Sequence, residues 1–364
     1  MALEIQELTK TYGDFSVRLD CSVADGETLA LVGPSGCGKT TALSLITGLV
    51  QAERGVLRSD GEDISRLPPW KRNISVVFQD LALFPHLDAG QNIAYGLFIR
   101  GVPKRERRRV VAETLRIVRL SGYEKRRINT LSGGERQRIA IARALATAPR
   151  ALLLDEPFSS LDAPLRREIR QEFLDIRAQS KAPCIFVTHD REEAAILGDR
   201  IALMSAGRII ERGSARELFL APKTEAGAWF FGAGQVLPCT IEAHIPEGTQ
   251  VNSPLGRLII PPGSEYSVEA PFLFIPRDAL VLTGDRTTQS GRPPVTGLFR
   301  KSMFAGERLI LQVALPQRNT GSGETVITVE ARLRTGLPPL GSPLEITIDQ
   351  SLLRFVKPRI KISD

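Results

Sequence analysis

Apolar and polar positions alternate in short bursts through residues 1–32, as LEIQEL, FSVRLD and ETLALV, with turn signals at Tyr12–Asp14 and Asp25–Gly26. Alternation of period two predicts a small set of β-strands here. After Val32 the pattern changes to a glycine-rich turn and then to TTALSLITGL, a helix-forming stretch. Strand, glycine loop and helix are the entry to a parallel α/β sheet. From about Asp88 to Arg150 the chain reads as mainly helical and basic. The runs ALLLDEP (151–157) and CIFVTHD (184–190) are short, continuous and bounded by polar residues, as strands buried on both faces are. DRIALMS (199–205) follows, with a turn at Gly207.

Around Gln235 the character shifts. Helical periodicity fades, Pro and Gly become frequent, and strand-like bursts recur as VLPCTIEAHI, GRLIIPP, PFLFIP, RLILQVALP, TVITVEARL and LEITID. Short strands separated by turn signals predict a small barrel or sandwich. The expected organisation is therefore an α/β domain over 1–235, with a helical part at about 88–150, and a β-rich domain over 236–364.

Composition narrows this picture. The chain has 364 residues, 42% hydrophobic and 24% charged, within the range of soluble globular proteins. No stretch approaches the ~20 apolar residues that span a bilayer. The opening MALEIQELTKTYGD lacks a basic stretch followed by an apolar core, so no signal peptide is expected. The net charge of +7 gathers partly in KRERRR (104–109), EKRR (124–127) and the tail RFVKPRIKISD. Such runs are most often solvated helix faces; attraction to anionic lipid is a second use. The four cysteines Cys21, Cys37, Cys184 and Cys239 have no CxxC spacing, so reduced, structural thiols are expected.

Three motifs carry chemistry. GPSGCGKTT places Gly33, Pro34, Ser35, Gly36, Cys37, Gly38, Lys39, Thr40 and Thr41 between a strand and a helix. Glycines let the backbone curl so that successive amides point at phosphates, aided by the helix N-terminus. Lys39 reaches the β- and γ-phosphates, and the Thr40 hydroxyl holds Mg²⁺. In ALLLDEP, Asp155 ends a buried strand facing that loop, placed for the Mg²⁺ shell, with Glu156 placed to polarise water. Two acids solubilising a strand end is the plainer alternative. In LSGGERQ (131–137), Ser132 and the amides of Gly133 and Gly134 open a helix as a second anion site. Alone, that turn is an ordinary helix start. Cys37, among backbone amides and beside Lys39, is expected to have a lowered thiol pKa.

Together these motifs resemble the ABC-transporter ATPases over roughly residues 3–235, LSGGERQ matching the family signature. The resemblance implies an α/β P-loop NTPase with antiparallel β and helical subdomains, followed by a small all-β domain of the oligonucleotide-binding barrel type. It implies ATP and Mg²⁺ as cofactors and a head-to-tail homodimer, in which Ser132, Gly133, Gly134 and Gln137 cap the other subunit's nucleotide. By the same resemblance Tyr12 stacks on adenine, Gln79 touches Mg²⁺ and water, and His189 contacts the γ-phosphate. Ser160, Leu161 and Asp162 match the loop that crosses the dimer interface, and Arg277, in IPRDAL, is expected to be structural. A lone histidine after a strand is usually structural, so His189 rests on the resemblance.

LALFPHLDAGQNIAYGL resembles the importers with a long C-terminal extension and implies a groove for a permease helix. The partners implied are integral membrane permease subunits and, indirectly, an extracytoplasmic solute-binding protein, with no nucleic acid. The location implied is the cytoplasmic face of the inner membrane, held peripherally. Catalysis is expected from Glu156, His189 and Lys39, and metal binding from Thr40, Gln79 and Asp155. Ferric iron is the first expectation for the solute; polyamine, phosphonate, sulfate and sugar are the alternatives. A soluble nucleic-acid-associated ATPase of the same family is the runner-up.

Overall fold

A computed structural model describes residues 2–159, 161, 163–232, 234–262, 271–283, 294–306, 308–316, 324–332 and 337–357. The chain divides into two compact units, Met1–Ala215 and Arg216–Asp364.

The first unit opens with β1 (Leu3–Tyr12), β2 (Phe15–Val23), β3 (Thr28–Val32) and α1 (Lys39–Thr47). It continues with β4 (Arg54–Ser59), β5 (Glu62–Asp63), α2 (Pro69–Arg72), β6 (Ile74–Val77), α3 (Ala89–Ile99), α4 (Lys104–Ile117) and α5 (Gly133–Ala146). It ends with β7 (Ala151–Asp155), α6 (Ala163–Ala178), β8 (Cys184–Thr188), α7 (Arg191–Leu197), β9 (Arg200–Ser205) and β10 (Arg208–Gly213). One ten-stranded sheet orders these strands β5-β4-β1-β2-β10-β9-β3-β8-β7-β6. Its β9-β3-β8-β7-β6 half is parallel throughout. The hairpin β1–β2 and its neighbour β4 pair antiparallel.

The sequence explains the split. TLALV and CIFVT are buried at every position, and such runs suit a sheet with both faces covered. The alternating β1 and β2 bury Leu3, Ile5, Leu8, Val17, Leu19 and Val23 on one side and leave polar residues outside.

The helical stretch resolves into α3, α4 and α5. Asp88, Ala89 and Gly90 fix how α3 starts. Asp88 caps α3 by accepting from the Gln91 amide at 2.7 Å while Gln91 Oε1 accepts from the Asp88 amide. Gly90 lies so close to the Glu124 carbonyl that a β-carbon would stand 2.9 Å from it.

The second unit begins within α8 (Ala215–Leu220) and continues as α9 (Glu225–Phe231), β11 (Gly234–Pro238), β12 (Thr240–Ile245), β13 (Gly248–Ser253), β14 (Gly256–Ile260) and β15 (Phe272–Pro276). The rest is β16 (Leu280–Leu282), β17 (Val295–Ala305), β18 (Arg308–Ala314), β19 (Val326–Arg332), β20 (Pro343–Ile348) and β21 (Arg354–Val356). Its described strands pair antiparallel in three small sheets, β11-β15-β21, β12-β13-β14 and β16-β20-β17-β18-β19. All three contribute to one barrel-like core that includes Val251, Leu273, Phe299, Leu311, Val329 and Ile346. Arg277 pairs with Glu330 at 2.6 Å, and Arg308 takes the other carboxylate oxygen at 2.7 Å. The expected structural arginine therefore ties the short helical turn after β15 to β19.

Candidate nucleotide site

Four parallel strands end side by side. Val32 of β3 is opposite Thr188 of β8, Asp155 of β7 opposite Val187, and Val77 of β6 opposite Leu154. The residues that follow these ends (Gly33, His189, Glu156 and Gln79) consequently share one edge of the sheet.

The loop after β3 is built on glycines that no other residue replaces. A β-carbon on Gly33 would stand 2.2 Å from the Met204 carbonyl oxygen. Gly38, at φ 104°, begins α1, and a β-carbon there would meet Val17 at 2.9 Å and Phe15 at 3.2 Å. Lys39 is buried, its ammonium donating to the carbonyls of Gly33 at 2.8 Å and Pro34 at 3.0 Å. The charge thus sits inside the loop, while Pro34, Ser35, Gly36 and Thr40 are exposed and Thr41 is half-buried. Phe15, which touches the loop, pairs with Tyr12 across the β1–β2 turn. Tyr12 is 46% exposed, its ring available for stacking, with Lys10 above it at 5.8 Å.

Behind the loop, α1 is nine residues long, and its C-terminal carbonyls need partners. Arg72, fully buried, supplies them by donating to Leu45 and Ile46, both at 2.9 Å, and to Leu67 at 2.8 Å and Ser65 at 2.6 Å.

Asp155 closes β7. Burial and the adjacent Glu156 charge push its carboxyl above the usual range, against the opposing pull of the Thr40 hydroxyl and Lys39. A carboxylate destabilised in this way is relieved by a cation. The Thr40 hydroxyl bonds the Asp155 carboxylate, and these oxygens, with the exposed Gln79 amide beyond the end of β6, are of the type that suits Mg²⁺. Among the described residues no cluster of three or more His, Cys, Asp or Glu gathers into a metal site, so the rest of such a shell would be phosphate and water. The residues fit a magnesium–triphosphate ligand.

Glu156 turns the corner after β7 with φ 44°, a conformation a β-carbon disfavours. Three hydrogen bonds hold it there. Its amide donates to Val187 at 3.0 Å, and its carbonyl accepts from the Ser159 hydroxyl at 2.9 Å and amide at 3.2 Å. The carboxylate meets His189, Nδ1 to Oε2 at 3.1 Å. His189 remains 59% exposed. Its loop is fixed by the buried Arg170 of α6, which bonds Asp190 at 2.8 Å and Glu193 at 2.7 Å, while Thr188 donates to Glu193 at 2.6 Å. Ser160 and Asp162 lie outside the described residues; Leu161 between them is buried.

Ser132 caps α5 in a reciprocal box with Glu135, whose carboxylate also accepts from Tyr123 at 2.8 Å. Those donors hold the Glu135 carboxyl below the usual range. Gly134 packs against Leu165 and Ile169 of α6, each 3.1 Å from where its β-carbon would be. Gln137 is completely buried, its amide nitrogen and oxygen without protein partners.

One expectation fails. Cys37 is 5% exposed, and burial pushes its thiol pKa up despite Lys39 and the loop amides. Desolvation outweighs the local positive charge.

The sequence did not reveal what holds the Gln79 loop. Leu81 and Ala82 both take positive φ. Arg143, near the end of α5, donates to their carbonyls at 2.8 and 2.6 Å and lies 5.7 Å from the Phe84 ring. Buried Asn92 bonds Phe84, Leu87 and Asp88. Their partners are backbone carbonyls and the Phe84 amide, which no sequence pattern marks.

Residues 17–159 match the family model described as "ABC transporter". The chain is 41% identical to the Fe(3+) ions import ATP-binding protein of Photorhabdus laumondii, over 69% of this chain and 72% of that protein. It is 42% identical to the spermidine/putrescine import ATP-binding protein of Roseobacter denitrificans, over 69% of each. Among solved structures it resembles a dimeric ATP-binding cassette in a post-hydrolysis state bound to ADP and Pi (TM-score 0.51, 30% identity, 59% of this chain, 99% of that one). It also resembles cbiO1 of Clostridium perfringens, part of an ABC transporter complex (TM-score 0.55, 28% identity, 60% and 90%).

Proposed function

The chain belongs to the ABC transporter family as an ATP-binding subunit with ATPase activity, and from that premise we propose that it powers solute import through a membrane permease. The observation that carries the site assignment is the single edge bearing the Lys39 loop, Asp155, Glu156 and His189. Lys39 and the backbone amides of Ser35, Gly36 and Gly38 would bind and orient the triphosphate. Thr40, Asp155 and Gln79 hold Mg²⁺, which when bound neutralises charge developing on the phosphates. Glu156 would accept a proton from the attacking water, and His189, with its Nδ1 3.1 Å from the Glu156 carboxylate, would contact the γ-phosphate.

Two chains pair head to tail so that Ser132, Gly133 and Gly134 of each complete the other's site, a pairing supported by the dimer that the similar cassette forms; Gln137, expected among them, is fully buried and does not reach a partner's nucleotide. The assembly lies at the cytoplasmic face of the membrane, supplied by an extracytoplasmic binding protein. Ferric iron is the proposed solute, because an iron-import subunit stands among its strongest relatives; polyamine is the second, on similar identity.

Glu156→Gln tests the chemistry. ATP binding should persist, turnover should fall at least ~100-fold, and an ATP-bound dimer should accumulate on a sizing column. Turnover near the parent rate would remove Glu156 from its role. Cells lacking the chain should lose ferric iron uptake and keep polyamine uptake; the reverse result assigns the other solute.

A further inference from the structure

Helix α4 has a face that the nucleotide site leaves unused. Val111, Thr114 and Leu115 point into the core, with Val118 one turn on. Beside that core side, at ~100° of rotation per residue, Arg105, Arg108, Arg109 and Arg116 fall within an exposed sector of ~100°, and Arg119 follows past the helix end with φ 55°. Ala112 is the only other residue there, and Glu106 and Glu113 lie on the flank. Arg119 pairs with Asp175 at 2.8 Å. The other four have no carboxylate partner among the described residues. On another side of α4 the Arg107 guanidinium lies 5.0 Å from the ring of Phe98, which with Ile99 ends α3; the two are 59% and 67% exposed.

Single-sign charge of this kind repels itself and is stabilised by an anionic partner. From Arg105 to Arg116 the stripe runs ~17 Å along the helix axis, so it presents its charges to a flat surface together. The apolar side of α4 is committed to the core, so the helix cannot insert, and attraction is electrostatic. We infer that the arginine face of α4 is a docking surface for an anionic phospholipid bilayer. This goes beyond the ATPase reading and is independent of it, because adsorption needs no nucleotide.

The test is co-sedimentation of the full chain with phosphatidylethanolamine–phosphatidylglycerol vesicles, against vesicles of phosphatidylcholine alone. Binding should be confined to the anionic vesicles and disappear between ~0.05 and ~0.5 M salt. Joint Arg105→Glu, Arg108→Glu and Arg109→Glu substitution should weaken it on the order of 100-fold, about fivefold per arginine, with ATPase activity in solution unchanged. Acidic residues suit the first turns of a helix; if reversal nonetheless disturbs α4, the triple Arg→Gln variant replaces it.

A charge-matched variant elsewhere, Arg54→Glu, Arg66→Glu and Arg208→Glu, should bind as the parent does. Equal loss in both variants would reduce the effect to net charge and overturn the proposal. Parent-like binding by the α4 variant overturns it as well. So does equally tight, equally α4-dependent binding to duplex DNA or polyglutamate, which would make the face a general polyanion surface.

Discussion

Arg143→Ala probes how the Gln79 loop is held. Arg143 donates two hydrogen bonds from a half-buried guanidinium to Leu81 and Ala82 and lies against Phe84. A bond from a charged donor contributes ~1.5–3 kcal/mol, and a cation–ring contact ~0.5–1 kcal/mol. Leu81 is half-buried and Ala82 exposed, so water replaces part of what truncation removes. The net loss should be about 2–4 kcal/mol, or ~5–15 °C in the midpoint of a unit this size. Thermal unfolding followed by circular dichroism without nucleotide measures it. Arg143→Lys, which keeps the charge but not the fork, should fall between. Freed from α5, the loop no longer positions Gln79. Turnover at saturating ATP should then drop about tenfold, equivalent to ~1.4 kcal/mol of lost positioning. ATP affinity should stay within about threefold, since the Lys39 loop is untouched. A midpoint within ~2 °C of the parent would refute the stability argument. A destabilised variant with parental turnover would refute the link to Gln79.

Asp155→Asn should stabilise the nucleotide-free protein while abolishing turnover. The native carboxyl pKa is raised, so its contribution is favourable below the ordinary carboxylate range near ~4 and is lost as pH rises through the raised value. The variant's advantage should therefore be largest at neutral pH and vanish in acid; a constant difference across pH contradicts this. All four cysteines should resist alkylation at neutral pH in the native state and react fully in denaturant, because burial pushes Cys21 and Cys239 up to about 12, Cys184 to about 11, and Cys37 upward. Fast labelling of Cys37, read by peptide mass spectrometry, would overturn that. A fragment ending at Ala215 should fold and bind ATP, whereas one ending at Gln235 should aggregate. The longer fragment exposes the buried Ala228 and Phe231 of α9, and Ala228 packs with Phe274 and Val356. Equal solubility of the two fragments on sizing would refute this.

The site's chemistry was readable where a residue acts through its own type. The glycines of the Lys39 loop, the acids after β7 and the Ser132–Glu135 capping box all announce themselves locally. The continuous apolar β3, β7 and β8 were equally legible. Positions that act through distant backbone were not: Arg72, Asn92, Arg143 and Arg170 look like surface residues until the fold brings carbonyls and carboxylates to them. Among the strands, β13 is polar (GTQVNS), and its pairing between β12 and β14 places it rather than its composition. Cys37 misled because charge is visible in sequence and burial is not.

The parallel order of β3, β8 and β7 has a temporal consequence. The Lys39 loop is complete within the first forty residues, but its strand's neighbours, β8 and β9, end at Thr188 and Ser205. Pairing across so many intervening residues is slow to form, and synthesis proceeds from the N-terminus at ~5–20 residues per second. For roughly the first ten seconds or more of its life on the ribosome, the chain therefore carries a phosphate loop whose flanking strand has no parallel partner to hold it. Nucleotide binding is a property of the late nascent chain, and ATP acts as a ligand that secures the end of folding rather than its beginning.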